Sequence, residues 1–129
     1  MLTATTPKAD YITTIKATIS TELAAVEKEL NTIQSDIPIL NEVASQLLRS
    51  GGKRLRPIMA IASALSCGYE GNTHIELAAV IELIHAATLL HDDVIDNSIK
   101  RRCQDTANKV WGNKHSILAG DYIYSIAFQ

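Results

Sequence analysis

The longest apolar stretch of this chain runs over residues 75–94 and ends in a group of carboxylates. Glu82, His85 and His91 interrupt the stretch, as do the aspartates at its end. A lipid-facing span would rarely tolerate so many polar groups. We therefore expect a buried helix of a folded domain here, and no transmembrane segment.

The composition favours packed helices over sheets. The chain has 129 residues, 47% of them hydrophobic, with one Phe and one Trp, and Ala, Ile and Leu predominate. This length is enough for one domain with a real core and too short for two ordinary ones. An all-α fold is expected, with residues 1–129 belonging to a single domain.

Charge and cysteine content narrow the function classes. The formal net charge is -2, which argues against a general nucleic-acid binder, because basic residues would supply most of its affinity. Cys67 and Cys103 have no metal-site or disulfide-framework spacing. The first ten residues lack the layout of a secretory signal, so a cytoplasmic protein with reduced thiols is expected.

Hydrophobic spacing and capping residues predict the individual helices. Thr73, with Glu76 three residues later, suggests a capping box at the start of the helix that carries the aspartates. Residues 97–105 are expected to form a loop. The last helix stops in mid-pattern without a cap, so the chain is expected to be truncated. The predicted helices cover residues 9–33, 38–49, about 57–66, a long one from 73 that ends at the aspartates, 107–111 and 113–129.

The carboxylates of Asp92, Asp93 and Asp96 predict a site for magnesium and diphosphate. On a helix Asp92 and Asp96 share one face one turn apart, where like charges repel by roughly 0.2–0.5 kcal/mol. Mg²⁺ usually takes one or two protein carboxylates together with phosphate oxygens, so it would relieve this repulsion. The simpler alternative is a solvated helix end in which Asp96 pairs with Lys100.

Residues 51–57, with the sequence Gly-Gly-Lys-Arg-Leu-Arg-Pro, suggest a second anion site. The glycines permit close approach of a ligand, and Lys53 and Arg56 could hold one anion together. For this segment taken alone, a helix C-cap with solvated basic neighbours is the favoured interpretation. A nuclear-localisation or nucleic-acid patch is a third interpretation, which the lack of interleaved aromatic residues weakens.

His85 lies two helical turns before Asp92, on nearly the same stripe. By itself it could be a buried core histidine. Glu82 and His85 also have the Glu-x-x-His spacing of di-iron bundles, but such a site needs a second half that the chain lacks.

Together, these motifs and their order resemble the trans-isoprenyl diphosphate synthases of the long-chain polyprenyl, octaprenyl type. The resemblance extends from about residue 8 to the end and covers only the N-terminal part of a family member. It implies an isoprenoid-synthase helical bundle that condenses isopentenyl diphosphate with an allylic diphosphate such as farnesyl diphosphate. The product would be a long all-trans polyprenyl diphosphate for a quinone side chain, made by a homodimer.

The resemblance also implies roles for single residues. Asp92 and Asp96 would bind Mg²⁺ on the allylic diphosphate, with Asp93 in support, and Arg101 would hold the same diphosphate. Small residues at Ala87 and Thr88 would leave room for a long product. The diphosphate of isopentenyl diphosphate would be bound by Lys53, Arg56, His85 and Arg102.

The chain departs from the family pattern in two places. Cys103 stands where the family usually has Gly, and the chain lacks the second aspartate-rich motif that completes the magnesium cluster. The chain by itself is therefore expected to be inactive. The alternatives are a non-catalytic partner subunit of a complete synthase and a fragment of a class I terpene cyclase, although Lys53, Arg56 and Arg102 favour chain elongation over cyclisation.

Overall fold

The computed structural model describes residues 10–50 and 52–129. Ala9, the predicted start of the first helix, and Gly51 lie outside them. The all-α prediction is confirmed: most of the described residues lie in helices, and the two strands among them have two residues each. In chain order the elements are α1 (Tyr11–Thr18), α2 (Ser20–Asn31), α3 (Pro38–Arg49), α4 (Leu55–Ser66), α5 (Thr73–Ile95), β1 (Lys100–Arg101), β2 (Gln104–Asp105), α6 (Ala107–Trp111) and α7 (Asn113–Ala127).

The single helix predicted over residues 9–33 is wrong, because the chain breaks at Ile19 into α1 and α2. Ile19 has φ -107° and ψ 25°, and its side chain is buried. The hydroxyl of Thr18 donates to the carbonyl of Thr14 at 3.0 Å. Such a bond competes with the helical ladder and often bends a helix, and burial of Ile19 holds the change of direction.

The predicted helix starts are partly confirmed. Pro38 begins α3 as expected, since proline suits a first helical position. Helix α4 starts at Leu55, two residues before Pro57, which its first turn accommodates. Thr73 lies inside α5 after Asn72, and Asn72 makes no side-chain capping bond. The capping-box prediction is therefore wrong.

The segment predicted as a loop contains a short antiparallel hairpin. Lys100 pairs with Asp105, and Arg101 pairs with Gln104. The two turn residues, Arg102 and Cys103, have φ values of 50° and 66°. Two successive positive φ values are typical of the tight turns that match the twist of a hairpin.

Helix α5 lies at the centre of the bundle and packs against α2, α4 and α7. It is the one helix in the described ranges that is long and apolar enough to cross a membrane by those criteria alone, and much of its surface is covered by the neighbouring helices. Helix α7 approaches closely at Gly120, where a Cβ atom would collide with the ring of His91. The C-terminal end of α5 is therefore fixed against the bundle.

Candidate active site at the C-terminal end of α5

Asp92 and Asp96 form an exposed carboxylate pair at the end of α5. The backbone N–H of Asp96 donates to the carbonyl of Asp92 at 2.8 Å, which places the two residues one turn apart. Within residues 10–50 and 52–129, neither carboxylate has a salt-bridge or side-chain hydrogen-bond partner. Both are free to accept a cation, and the site lacks a basic residue in the last turn of α5 that would offset their charge.

Asp93 has a different environment from the two aspartates on either side. Its side chain is buried, and its two oxygens accept bonds from Arg101, with 2.8 Å to Nη2 and 3.1 Å to Nε. The hydrogen bond to Asp93 is the main cause that raises the pKa of Arg101 above its ordinary value, and Asp92 and Asp96 add to it. Asp93 therefore positions Arg101, and its oxygens are not open to a metal ion as those of Asp92 and Asp96 are.

Residues at the start of α6 hold the end of α5 in place. Asn108 Nδ2 donates to the carbonyls of Asp93, at 3.3 Å, and Ser98, at 2.9 Å. The Thr106 hydroxyl donates to the same Ser98 carbonyl at 2.7 Å. Together with the backbone bond from the Ser98 N–H to the Asp93 carbonyl at 2.9 Å, these bonds tie the chain after α5 to the start of α6. Sequence reasoning assigned no role to Thr106 or Asn108, since nothing in the sequence shows that they return to α5.

The proposed surface pair between Asp96 and Lys100 does not form. Lys100 Nζ lies 2.6 Å from Asp105, its partner across the hairpin. Helix α5 ends before residue 100, so the i,i+4 relation that the alternative required is absent. The two carboxylates of Asp92 and Asp96 therefore remain without that cation.

The glycine-rich segment and the hairpin meet at Gly52 and Arg102. A Cβ atom at Gly52 would lie 3.2 Å from Nη1 of Arg102, so a larger side chain would press on the guanidinium. Gly52, Arg101 and Arg102 line a shallow cleft together with His85 of α5. Gly52 and Arg102, fifty residues apart in the sequence, thus lie in contact distance at this cleft.

His85 is half-buried in this basic cleft. Burial is the largest cause that lowers its pKa, and the charge of Arg56 is the next. Arg101 and Arg102 act in the same direction, while Glu82 opposes them. His85 is therefore neutral at pH 7, in a position where several positive charges converge. An anion bound among these charges would favour its protonation.

Arg54 links three elements beneath the cleft. Its guanidinium bonds to Glu27 of α2 and to Glu82 of α5. Glu82 is thereby occupied, which excludes the di-iron interpretation of Glu82 and His85. Sequence reasoning missed Arg54, although a carboxylate in the middle of a buried apolar helix signals that a cation must meet it.

The remaining predicted site residues differ in their exposure. Lys53 and Arg56 are exposed, and Arg56 is close enough to affect His85. Ala87 is fully buried in the core, so a larger side chain there must displace neighbours. Thr88 is half-buried, and its hydroxyl donates to the carbonyls of Ile84 and His85.

The residues present fit a magnesium ion. In the part of the chain that the structure describes, no three His, Cys, Asp or Glu side chains form a group that could hold a metal. Mg²⁺ does not require such a cage, because it keeps several waters and is usually bound through one or two carboxylates and substrate phosphates. Asp92 and Asp96 supply that pair.

The described part of the chain is thus a helical bundle with an exposed carboxylate pair at the end of α5 and a basic cleft that Arg101 and Arg102 line. The match to known proteins is more specific. Residues 37–129 match the family model described as polyprenyl synthetase, and the chain belongs to this family.

Its relatives include long-chain synthases. The chain is 50% identical over 106 residues to the octaprenyl diphosphate synthase of Escherichia coli K12, covering 82% of this chain and 32% of that protein. A decaprenyl diphosphate synthase structure from Rhodobacter capsulatus superposes with a TM-score of 0.88 at 42% identity, over 92% of this chain and 37% of the other. A polyprenyl synthase from Caulobacter crescentus, complexed with calcium and isoprenyl diphosphate, gives 0.87 at 39% identity, over 91% and 36%. The chain spans about a third of the length of the relatives it matches.

Proposed function

We propose that the natural polypeptide carrying this chain is a trans-polyprenyl diphosphate synthase that makes a long-chain product. The observation that carries the proposal is the position of Arg101. It lines the basic cleft, and the charges of Asp92 and Asp96 contribute to raising its pKa. Similarity to synthases of octaprenyl and decaprenyl diphosphate supports the long product. The calcium and isoprenyl diphosphate bound by the Caulobacter relative support a cation and a diphosphate as ligands.

The reaction needs charge stabilisation and no side-chain nucleophile. The C–O bond of the allylic diphosphate breaks, and diphosphate leaves with the electron pair. The double bond of isopentenyl diphosphate attacks the allylic cation and forms a C–C bond, and loss of a proton restores an alkene five carbons longer. Arg101, held by Asp93, would stabilise the charge that develops on the leaving group.

Asp92 and Asp96 are the residues that would hold Mg²⁺. When bound, the ion would neutralise the diphosphate and orient it. Its requirement in this protein is part of the proposal. The diphosphate of isopentenyl diphosphate would be bound by Lys53, Arg56, His85 and Arg102. In support, the charges of Arg56 and Arg102 lower the pKa of His85.

The direct test incubates the natural polypeptide with isopentenyl diphosphate and farnesyl diphosphate in the presence of Mg²⁺. Elongated products that disappear on chelation with EDTA are expected. Asp92→Asn and Asp96→Asn should each lower kcat by a hundredfold or more, by analogy with the loss of other strong charge-stabilising groups. Asp36→Asn, an exposed aspartate in the α2–α3 connection, is the matched control. A fully active double variant of Asp92 and Asp96 would contradict the assignment.

The second candidate function is that of a subunit that works only with a partner. A relative from Geobacillus stearothermophilus that is 41% identical is named heptaprenyl diphosphate synthase component 2. Native mass measurement distinguishes the alternatives: a homodimer with activity supports the leading proposal, whereas activity that appears only with a second polypeptide supports the alternative. We also propose a cytoplasmic location, which cell fractionation would test.

A further inference from the structure

Arg54 lies between the two basic residues that are proposed to bind isopentenyl diphosphate and lines the same cleft as His85, but its guanidinium is occupied by glutamates of the protein. It precedes α4 with a φ of 51°, in the left-handed region. Its carbonyl accepts the N–H of Ile58 at 3.0 Å and so begins the helix. A non-glycine residue in this conformation is uncommon and requires support from its surroundings.

The support comes from four hydrogen bonds to three different elements. Nε and Nη2 of Arg54 donate to Glu27 of α2 at 2.5 and 3.2 Å, and Nη1 donates to Glu82 of α5 at 2.8 Å. Nη2 also donates to the carbonyl of Leu48 near the end of α3, at 2.7 Å. Burial by itself lowers the pKa of Arg54, but the bonds to the two glutamates more than offset it, so the pKa is raised.

These bonds connect the two halves of the proposed substrate site. Lys53 and Arg56 are on either side of Arg54 at the start of α4, whereas His85 is on α5. Glu82 lies three residues before His85, about one turn along the same helix. The Arg54–Glu82 bond therefore joins the start of α4 to α5 about one turn from His85, which lines the cleft.

We propose that Arg54 is a positioning residue that sets the separation between the Lys53–Arg56 pair and His85, and thereby the affinity for isopentenyl diphosphate. The inference rests on the proposed function of the site. Four hydrogen bonds to protein acceptors occupy its guanidinium, so Arg54 acts through the position of its neighbours and not as a phosphate ligand. The allylic diphosphate depends on Arg101, which Asp93 holds independently, so the effect of Arg54 is selective for one of the two substrates.

The test is steady-state kinetics of the natural polypeptide with each substrate varied in turn. Arg54→Lys keeps the charge but loses the planar fork that bonds to several partners at once. Misplacement of about 1 Å can cost on the order of a hundredfold. We expect KM for isopentenyl diphosphate to rise about 10- to 100-fold, while KM for the allylic diphosphate changes less than about threefold. Arg49→Lys, at the exposed end of α3, is the matched control and should change neither.

Two further variants separate positioning from folding. Glu27→Gln removes the more exposed partner and should raise KM for isopentenyl diphosphate in the same direction by a smaller factor, even if Arg54→Lys is too unstable to assay. Arg54→Gln combined with Glu82→Gln leaves no unpaired buried charge, so its thermal midpoint should recover relative to Arg54→Gln alone. Its KM for isopentenyl diphosphate should stay raised, because the link between α4 and α5 is still missing.

The inference would be overturned if Arg54→Lys changed both KM values equally. It would also be overturned if the double variant recovered its KM for isopentenyl diphosphate together with its thermal midpoint, because either result would show a purely structural role. Unchanged KM values in a folded Arg54→Lys or Glu27→Gln enzyme would overturn it as well, and leave the proposed function standing. If the unmodified polypeptide fails to elongate any allylic diphosphate, the proposed function fails first, and this inference fails with it.

Discussion

Substitution of Asp93 by Asn is expected to destabilise the protein far more than substitution of the exposed aspartates on either side of it. The side chains of Asp93 and Arg101 are 5% and 33% exposed, and two hydrogen bonds join them. Removing one partner of a fully buried pair costs about 3–5 kcal/mol, whereas an exposed pair contributes about 0–1 kcal/mol. Because Arg101 retains some contact with water, we expect a loss of about 2–3 kcal/mol. Asn is nearly isosteric, so the loss measures the charge and the paired bonds.

Urea unfolding of the natural polypeptide measures this loss as a lower midpoint at unchanged slope. Asp96→Asn is the matched control, because Asp96 is exposed at the same helix end, and we expect it to change stability by less than about 0.5 kcal/mol. A double-mutant cycle with Arg101→Gln should give a coupling energy above about 1 kcal/mol. If Asp93→Asn and Asp96→Asn shift the midpoint equally, the distinction between a positioning aspartate and an exposed cation-binding aspartate is wrong.

Three further predictions follow from the same geometry. Thr88→Phe should shorten the prenyl product, whereas Ala87→Phe should lower the free energy of unfolding by about 1–3 kcal/mol through overpacking. Chromatography of the products checks the first prediction, and urea unfolding checks the second. A full-length product from a folded Thr88→Phe enzyme would refute the chain-length role. Cys103→Gly should stabilise the protein by about 1 kcal/mol, because it removes a side chain from a residue with positive φ. The control Cys67→Ala, at a φ of -85°, should have little effect. Equal urea midpoints for Cys103→Gly and the unmodified protein would contradict backbone strain at Cys103. Because the pKa of His85 is lowered from 6.5 in the folded state, the unfolded state binds more protons there, so the free energy of unfolding should fall as pH drops below about 6.5, and His85→Gln should flatten that part of the pH profile.

Much of the fold was predictable because it depends on local patterns. A capping segment and Pro38 indicated the start of α3, and the apolar spacing indicated α7. The break at Ile19 was not predictable, because the apolar spacing of three and four continues across it. The hairpin was missed because two-residue strands are too short for an alternating pattern to appear.

The candidate site was predictable as a set of residues but not as an arrangement of roles. Glu82 and Asp93 lie on the buried stripe of α5 that also includes Ala86 and Leu90, and this spacing could have shown that both carboxylates need a cation inside the protein. It could not have named Arg54 and Arg101 as those cations. The partners come from a different helix and from a hairpin, and their return to α5 is a matter of three-dimensional packing.

The sequence by itself determined the chemistry available at this site: three carboxylates at one helix end, several basic residues and a histidine two turns away. Helical periodicity is a property of one segment, so it also placed Asp92 and Asp96 on a common face. Only the tertiary structure decided that Asp92 and Asp96 stay open while Asp93 holds Arg101, and that Lys100 turns to Asp105. The physical reason is that the charge state and freedom of a side chain depend on which neighbours cover it, and those neighbours are distant in the sequence.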